Sequence, residues 1–174
     1  MTGAKPSYTQ QEIRQRKPFR SAAHEAVVAL ARTADLFQRN FSKIVDPVGL
    51  SSEQYNVLRI LRGAGEEGLP TLEIGARMIQ QTPGITRILD KLEAKKLVRR
   101  ERCKHDRRQV LCWIRPLGEE LLARLDAEVD RNEIENLRGL TVAEQKQLIC
   151  LLDRVRAAHK GNREANEPGA GRGL

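Results

Sequence analysis

The sequence predicts a mainly α-helical chain that carries one small β-hairpin, and three observations predict it. Ala23, Val27, Leu30, Ala34, Phe37, Phe41 and Ile44 recur at alternating spacings of 4 and 3, the apolar stripe of a long helix. Ser51-Ser52-Glu53-Gln54 and Thr141-Val142-Ala143-Glu144 each set a hydroxyl three residues before Glu or Gln at the head of an apolar run, the pattern of a capping box. Between them, two short segments, 97–102 and 110–114, read as strands and flank a polar loop, which makes a hairpin.

The elements follow in order. Residues 1–17 are polar and basic without clear periodicity and are expected to be mobile. Ser21 is a candidate N-cap with Glu25 near the first turn, and the helix it opens would run roughly 24 residues, or ~36 Å. So long a stripe needs a partner, either within its own domain or across a subunit interface. Pro47 and Gly49 end it. The first capping box then opens a helix with Tyr55, Leu58 and Leu61 on its apolar face, beside Val57 and Ile60. A glycine-rich loop follows, then a short helix over about Thr71 to Ile79 that would bury Leu72, Ile74 and Met78. The next helix is expected to start with Thr82 as cap and Pro83 at the first helical position, where a missing N–H costs nothing. Its Ile85, Ile88, Leu89 and Leu92 face inward, leaving Thr82, Thr86, Arg87, Asp90 and Lys91 outside. Only a few residues join these last two helices, a helix-turn-helix arrangement. After the hairpin, Pro116 opens a helix with Leu117, Leu121, Leu122, Leu125 and Val129. The second capping box opens another, with Leu148, Ile149, Leu151, Leu152 and Val155. From Gly161 on, Gly, Pro, Asn and charged residues dominate and predict disorder. The middle of the chain is thus a winged helix-turn-helix, and the surplus outer helices are apolar on one side.

Charge is concentrated. The chain is net +8; Lys95 to Arg108 holds eight basic and two acidic residues, residues 1–20 hold five and one, and the rest is net −2. A basic segment beside a candidate recognition helix is an electrostatic footprint for phosphate.

Other classes find less support. No apolar run approaches the ~18 residues of a membrane span, and the N-terminus lacks a signal-type apolar stretch. Three scattered cysteines do not form a disulfide framework, which favours a reducing cytoplasm. Cys103, His105 and Cys112 cannot complete a four-ligand zinc site, so no metal, cofactor or catalytic residue is assigned. Cys103 lies between Arg102 and Lys104, which would lower a thiol pKa and leaves a redox-sensing regulator as one alternative. A winged-helix protein-interaction module is another. Cys112 and Cys150 fall in apolar patterns and are expected in the core.

Gly49-Leu50-Ser51 through Leu61, then Thr86-Arg87-Ile88-Leu89-Asp90-Lys91-Leu92-Glu93-Ala94-Lys95-Lys96-Leu97-Val98, then the wing Asp106-Arg107-Arg108-Gln109-Val110 together resemble the MarR family of transcriptional regulators over about residues 20–160. The resemblance implies a homodimer in which the long first helix and the last two intertwine, with Ala23, Val27, Leu30, Leu148, Leu152 and Val155 at the interface. It divides the chain into a flexible basic arm (1–19), a dimerisation helix (20–48), a winged helix-turn-helix (49–115), C-terminal dimerisation helices (116–160) and a disordered tail (161–174). It implies binding to a pseudo-palindromic duplex, each recognition helix in a major groove and each wing at a flanking minor groove. It also implies a small phenolic or amphipathic effector that relieves repression, with His24, Phe41 and Tyr55 as candidate pocket residues. Three positions depart from the family pattern: Lys96 stands where a Gly ends the recognition helix, Arg115 where Thr precedes Pro116, and Gln81 where a Ser cap is usual.

The expected DNA contacts are Thr82, Gly84, Thr86, Arg87 and Lys91 on the recognition helix and Arg102, Lys104, Arg107 and Arg108 on the wing. Gly84 permits close backbone approach to phosphate. Arg87 suits a bidentate contact to guanine or a phosphate clamp, and Arg108 suits a narrow minor groove. Asp106 is expected to stabilise the wing.

Overall fold

Residues 5–80, 84–103 and 109–164 are described by a computed structural model, the last five by backbone alone. The chain forms two compact units, Met1–Asn132 and Glu133–Leu174. Seven helices and three strands are described: α1 (Tyr8–Glu12), α2 (Ala22–Val45), α3 (Ser52–Ala64), β1 (Leu69–Pro70), α4 (Thr71–Arg77), α5 (Ile85–Ala94), β2 (Val98–Arg102), β3 (Val110–Ile114), α6 (Pro116–Asn136) and α7 (Val142–Glu164). The mainly helical chain with a winged helix-turn-helix is as the sequence predicts.

The caps lie where their residue types require. Ser21 Oγ accepts the His24 backbone N–H at 3.2 Å and opens α2. At α3 the box closes both ways: Gln54 N–H donates to Ser51 Oγ at 3.3 Å and Ser51 N–H to Gln54 Oε1 at 3.1 Å, satisfying two N–H groups that a helix start leaves without partners. Thr141 and Glu144 repeat the device before α7.

The core of the first unit is built around α3, whose Val57, Leu58 and Leu61 are fully buried. Against it lie Ile74 of α4, Leu89 and Leu92 of α5, Val98 and Cys112 of the sheet, and Leu122 of α6, all without exposure. The hairpin is antiparallel, with Val98 opposite Ile114 and Arg102 opposite Val110. It is joined by β1, not foreseen in the sequence, which pairs with β3 through Leu69 and Cys112 to give the order β1-β3-β2. Arg115 N–H donates to Leu97 O at 2.9 Å, and Gly118 follows two residues into α6. A Cβ on Gly118 would meet the Leu97 carbonyl oxygen at 2.6 Å and Ile114 Cγ1 at 2.9 Å, so only glycine fits there without a shift.

Several expectations are corrected. Leu72 is 86% exposed; Ile74 is the buried residue of α4, and a residue two before it lies about 200° round the helix. The same geometry exposes Cys150, two residues from both Leu148 and Leu152. α5 begins at Ile85, not with Pro83 at its first position: Gly84 is its N-cap, left-handed at φ 106°. The supposedly aperiodic arm contains α1, capped by Ser7 and tied to α2 by a Glu12–Arg32 ion pair at 2.8 Å. α7 runs to Glu164, past the expected onset of disorder at 161, since adding residues to an existing helix costs far less than starting one. The rest of that tail, 165–174, lies outside the described residues.

Lys96 confirms one departure. It takes φ 59°, with Leu97 N–H donating to Leu92 O at 3.0 Å and Lys96 N–H to Glu93 O at 2.8 Å, a Schellman ending. Left-handed backbone costs a side-chain-bearing residue roughly 1–2 kcal/mol. Lys96→Gly should therefore raise stability by up to about 1 kcal/mol, partly offset by glycine's larger unfolded-state entropy. A urea titration followed by far-UV circular dichroism would read it.

The sequence also gave no hint of a bidentate ion pair within the first unit. Arg62 of α3 donates Nη1 and Nη2 to the two carboxylate oxygens of Asp126 of α6, both at 2.9 Å. The guanidinium holds the Asp126 carboxyl below its ordinary range, and the carboxylate raises Arg62 in turn.

Candidate nucleic-acid interface

α5 meets the requirement for a reading helix, one face seated and one free. Leu89 and Leu92 anchor it, with Ile85 and Ile88 half-buried, while Thr86, Arg87, Asp90 and Lys91 are exposed. No described side chain caps its start, and the N–H groups at a helix N-terminus suit an anionic acceptor such as phosphate. Gly84, expected to allow close backbone approach, supplies in addition the left-handed turn that aims the helix: its carbonyl accepts the Arg87 N–H at 2.9 Å.

The hairpin is less uniformly basic than its composition. Arg100 donates Nε and Nη2 to Glu93 Oε2 at 2.9 and 2.5 Å, and the same Nη2 lies 2.7 Å from Asp90 Oδ1. Arg99 pairs with Glu101 and lays its guanidinium over the Trp113 ring at 3.9 Å, a cation–π contact. Lys95 Nζ donates to the Gly49 carbonyl. Three of the five described basic residues in the 95–108 segment are thus engaged within the protein. Lys96 and Arg102 are exposed and make no ion pair with any described residue. Cys103, half-buried, closes the hairpin neck with its N–H on Gln109 O at 2.9 Å. Thr82, Lys104, Asp106, Arg107 and Arg108 lie outside the described residues.

The pocket candidates separate into two places. Phe41 and Tyr55 meet edge to face at 5.0 Å. His24 stands seventeen residues from Phe41 on the same helix, about 25 Å away along its axis, edge to face with Phe19 at 5.3 Å. Its Nδ1 is buried with no hydrogen-bond partner among the described residues. Cys112 is fully buried, and burial pushes its thiol pKa up, against a role as a nucleophile. Among the described residues no group of three or more His, Cys, Asp or Glu side chains could hold a metal. No described helix is long and apolar enough to cross a membrane.

The description of the MarR family matches residues 48–109, from the turn before α3 to the end of the hairpin loop. A crystal structure of a MarR transcription factor from Planctomyces limnophilus is 35% identical, with a TM-score of 0.61, over 78% of this chain and 98% of that one. The chain belongs to the MarR family. That membership is what the resemblance of its α3, α5 and wing segments implies. The HTH-type transcriptional regulator TtmR of Methylorubrum extorquens is 31% identical over 128 residues, 74% of this chain. The match spans 64% of TtmR, less than two thirds of its length. The MepR–DNA complex of S. aureus shares the MarR fold at 21% identity and a TM-score of 0.69, over 75% of this chain and 95% of MepR.

Arg100, like Lys95 and Arg99, was counted in the basic footprint although it is engaged within the protein. Asp90 and Glu93 share a helix face at i, i+3 and stand ten and seven residues before it, a spacing that could have signalled partners.

Proposed function

We propose that the chain is a homodimeric, sequence-reading repressor of duplex DNA, released by a small phenolic or amphipathic effector. The observation that carries the proposal is the free outer face of α5, with Thr86, Arg87 and Lys91 beside a hairpin that presents Arg102. Arg87 lies in the first turn, where recognition helices meet base edges. Lys91 is one turn further on and suits phosphate. The family pattern assigns Gly84 and Thr82 to the approach to the backbone, Lys104, Arg107 and Arg108 to the flanking groove, and Asp106 to wing stability.

Dimerisation is supported by apolar surface left open in each unit. On α2, Val27 and Leu30 are 66% and 47% exposed and Ala23 is exposed too; on α7, Ile149 and Val155 are 57% and 53% exposed beside the half-buried Leu148 and Leu152. An effector site at His24, Phe41 or Tyr55 is supported by the unsatisfied His24 nitrogen.

The test is anisotropy of a labelled duplex from upstream of the gene for this chain, against a scrambled duplex, at 50 and 200 mM salt. If a dimer neutralises ~6–10 phosphates, affinity should fall ~10³–10⁵-fold between the two salts. Arg102→Ala and Arg108→Ala should each weaken binding and flatten the salt slope by roughly 1–2, one contact per subunit. Equal affinity for both duplexes under all conditions would refute sequence reading by this surface.

A further inference from the structure

We infer that Arg100, with Asp90 and Glu93, is a positioning clamp that sets the wing's angle to the recognition helix, and that these two acidic residues promote DNA binding although they stand on the DNA-reading helix. The inference rests on the proposed DNA-binding reading and assigns it residues that charge alone would misassign.

Arg100 sits in the middle of β2, opposite Cys112. By alternation it shares a strand face with the buried Val98 and with Arg102, so it points toward α5 and Arg102 emerges from the same face nearer the loop. Its guanidinium reaches both carboxylates, at 2.5–2.9 Å for Glu93 and 2.7 Å for Asp90. The Arg100 side chain is only 22% exposed, and its hydrogen bonds to Glu93 and Asp90 raise its pKa. A planar fork held by two acceptors one helical turn apart fixes both a distance and a rotation, which one ammonium cannot do. The helix and the hairpin also meet through the turn at Lys96 and the shared core that holds Leu89, Leu92, Leu97 and Val98. Without the clamp the outer part of the hairpin, where Arg102 pairs with Val110, loses its side-chain tie to the recognition helix, and a wing misplaced by an ångström or two loses its groove.

The clamp reverses the sign expected of charge. Neutralising an acidic residue on a DNA-facing helix removes repulsion from phosphate and ordinarily strengthens binding. Here Glu93→Gln and Asp90→Asn should weaken it, by about fivefold to fiftyfold for Glu93→Gln. Arg100→Gln should weaken it comparably, and little further when added to Glu93→Gln, because one unit is lost once. Arg100→Lys keeps the charge and should fail to rescue.

The experiment uses the full chain and the labelled upstream duplex; if that duplex is not bound, it uses one selected by the wild-type protein from a random pool. Affinity is read by anisotropy, groove protection by hydroxyl-radical footprinting, and folding by thermal denaturation. The clamp is supported if Glu93→Gln binds more weakly, keeps a near-native melting temperature, and loses protection at the site's flanks while its centre stays protected. It is overturned if Glu93→Gln and Asp90→Asn bind as well as wild type or better, or if Arg100→Lys binds normally. Uniform loss of protection together with a lowered melting temperature also overturns it, leaving a purely structural ion pair. Failure of the wild-type protein to bind any selected duplex would instead overturn the proposed function, and the clamp's role with it.

Discussion

Leu92→Ala should destabilise the chain by about 2–5 kcal/mol, the range for truncating a fully buried leucine, and should weaken DNA binding further than the population of unfolded chain explains. Leu92 has no exposed surface. It is one of two fully buried residues on α5, a helix of 10 residues, too short to persist alone in water. Its carbonyl also closes the Schellman turn through Leu97 N–H, so a cavity beneath it loosens both the seat of the helix and the turn into the wing. Urea denaturation at fixed protomer concentration gives the stability, and that control matters because a dimer's apparent stability depends on concentration. A loss under 1 kcal/mol would show that α5 is held mainly by something other than this seat.

Gly118→Ala should cost about 1–3 kcal/mol or more, although alanine is the better helix former. The added methyl would press on the Leu97 carbonyl oxygen at 2.6 Å and on Ile114. Leu97 O is already committed to Arg115 N–H, so it cannot retreat without breaking the link between the sheet and α6. Gly75→Ala is the control: it lies in α4 with nothing within 4 Å of its added carbon and should be neutral or stabilising by up to about 1 kcal/mol. Equal melting temperatures for the two variants would contradict the close approach at Gly118.

What the sequence disclosed and what it hid divide along physical lines. Caps at Ser21, Ser51 and Thr141 were legible because a cap is a relation between residues three apart. The strands 98–102 and 110–114 were legible because two short segments flanking a polar loop are a local signal. β1 was not: two residues containing a proline have no pattern of their own, and their partner in β3 lies about forty residues on. Leu72 and Cys150 were misassigned because each adjoins inward-facing neighbours, and apolar character alone does not say which side of a helix is turned in. At the candidate site, the exposed Thr86, Arg87 and Lys91 follow from the period of α5. The fates of Lys95, Arg99 and Arg100 do not, since a charge count cannot tell a guanidinium held by two carboxylates from one left for phosphate.

Trp113, the chain's one tryptophan, gives the molecule an internal optical probe. Its indole N–H is held by the Glu66 carbonyl at 2.9 Å while Arg99 covers its ring, and it stands directly opposite Arg99 across the hairpin. Emission from this single ring therefore reports one place, the base of the wing, with no second fluorophore of its kind to dilute the signal. Any event that lifts the Arg99 guanidinium or parts the indole from Glu66, whether unfolding, a docked duplex or a bound effector, should change its colour or intensity in an unlabelled protein.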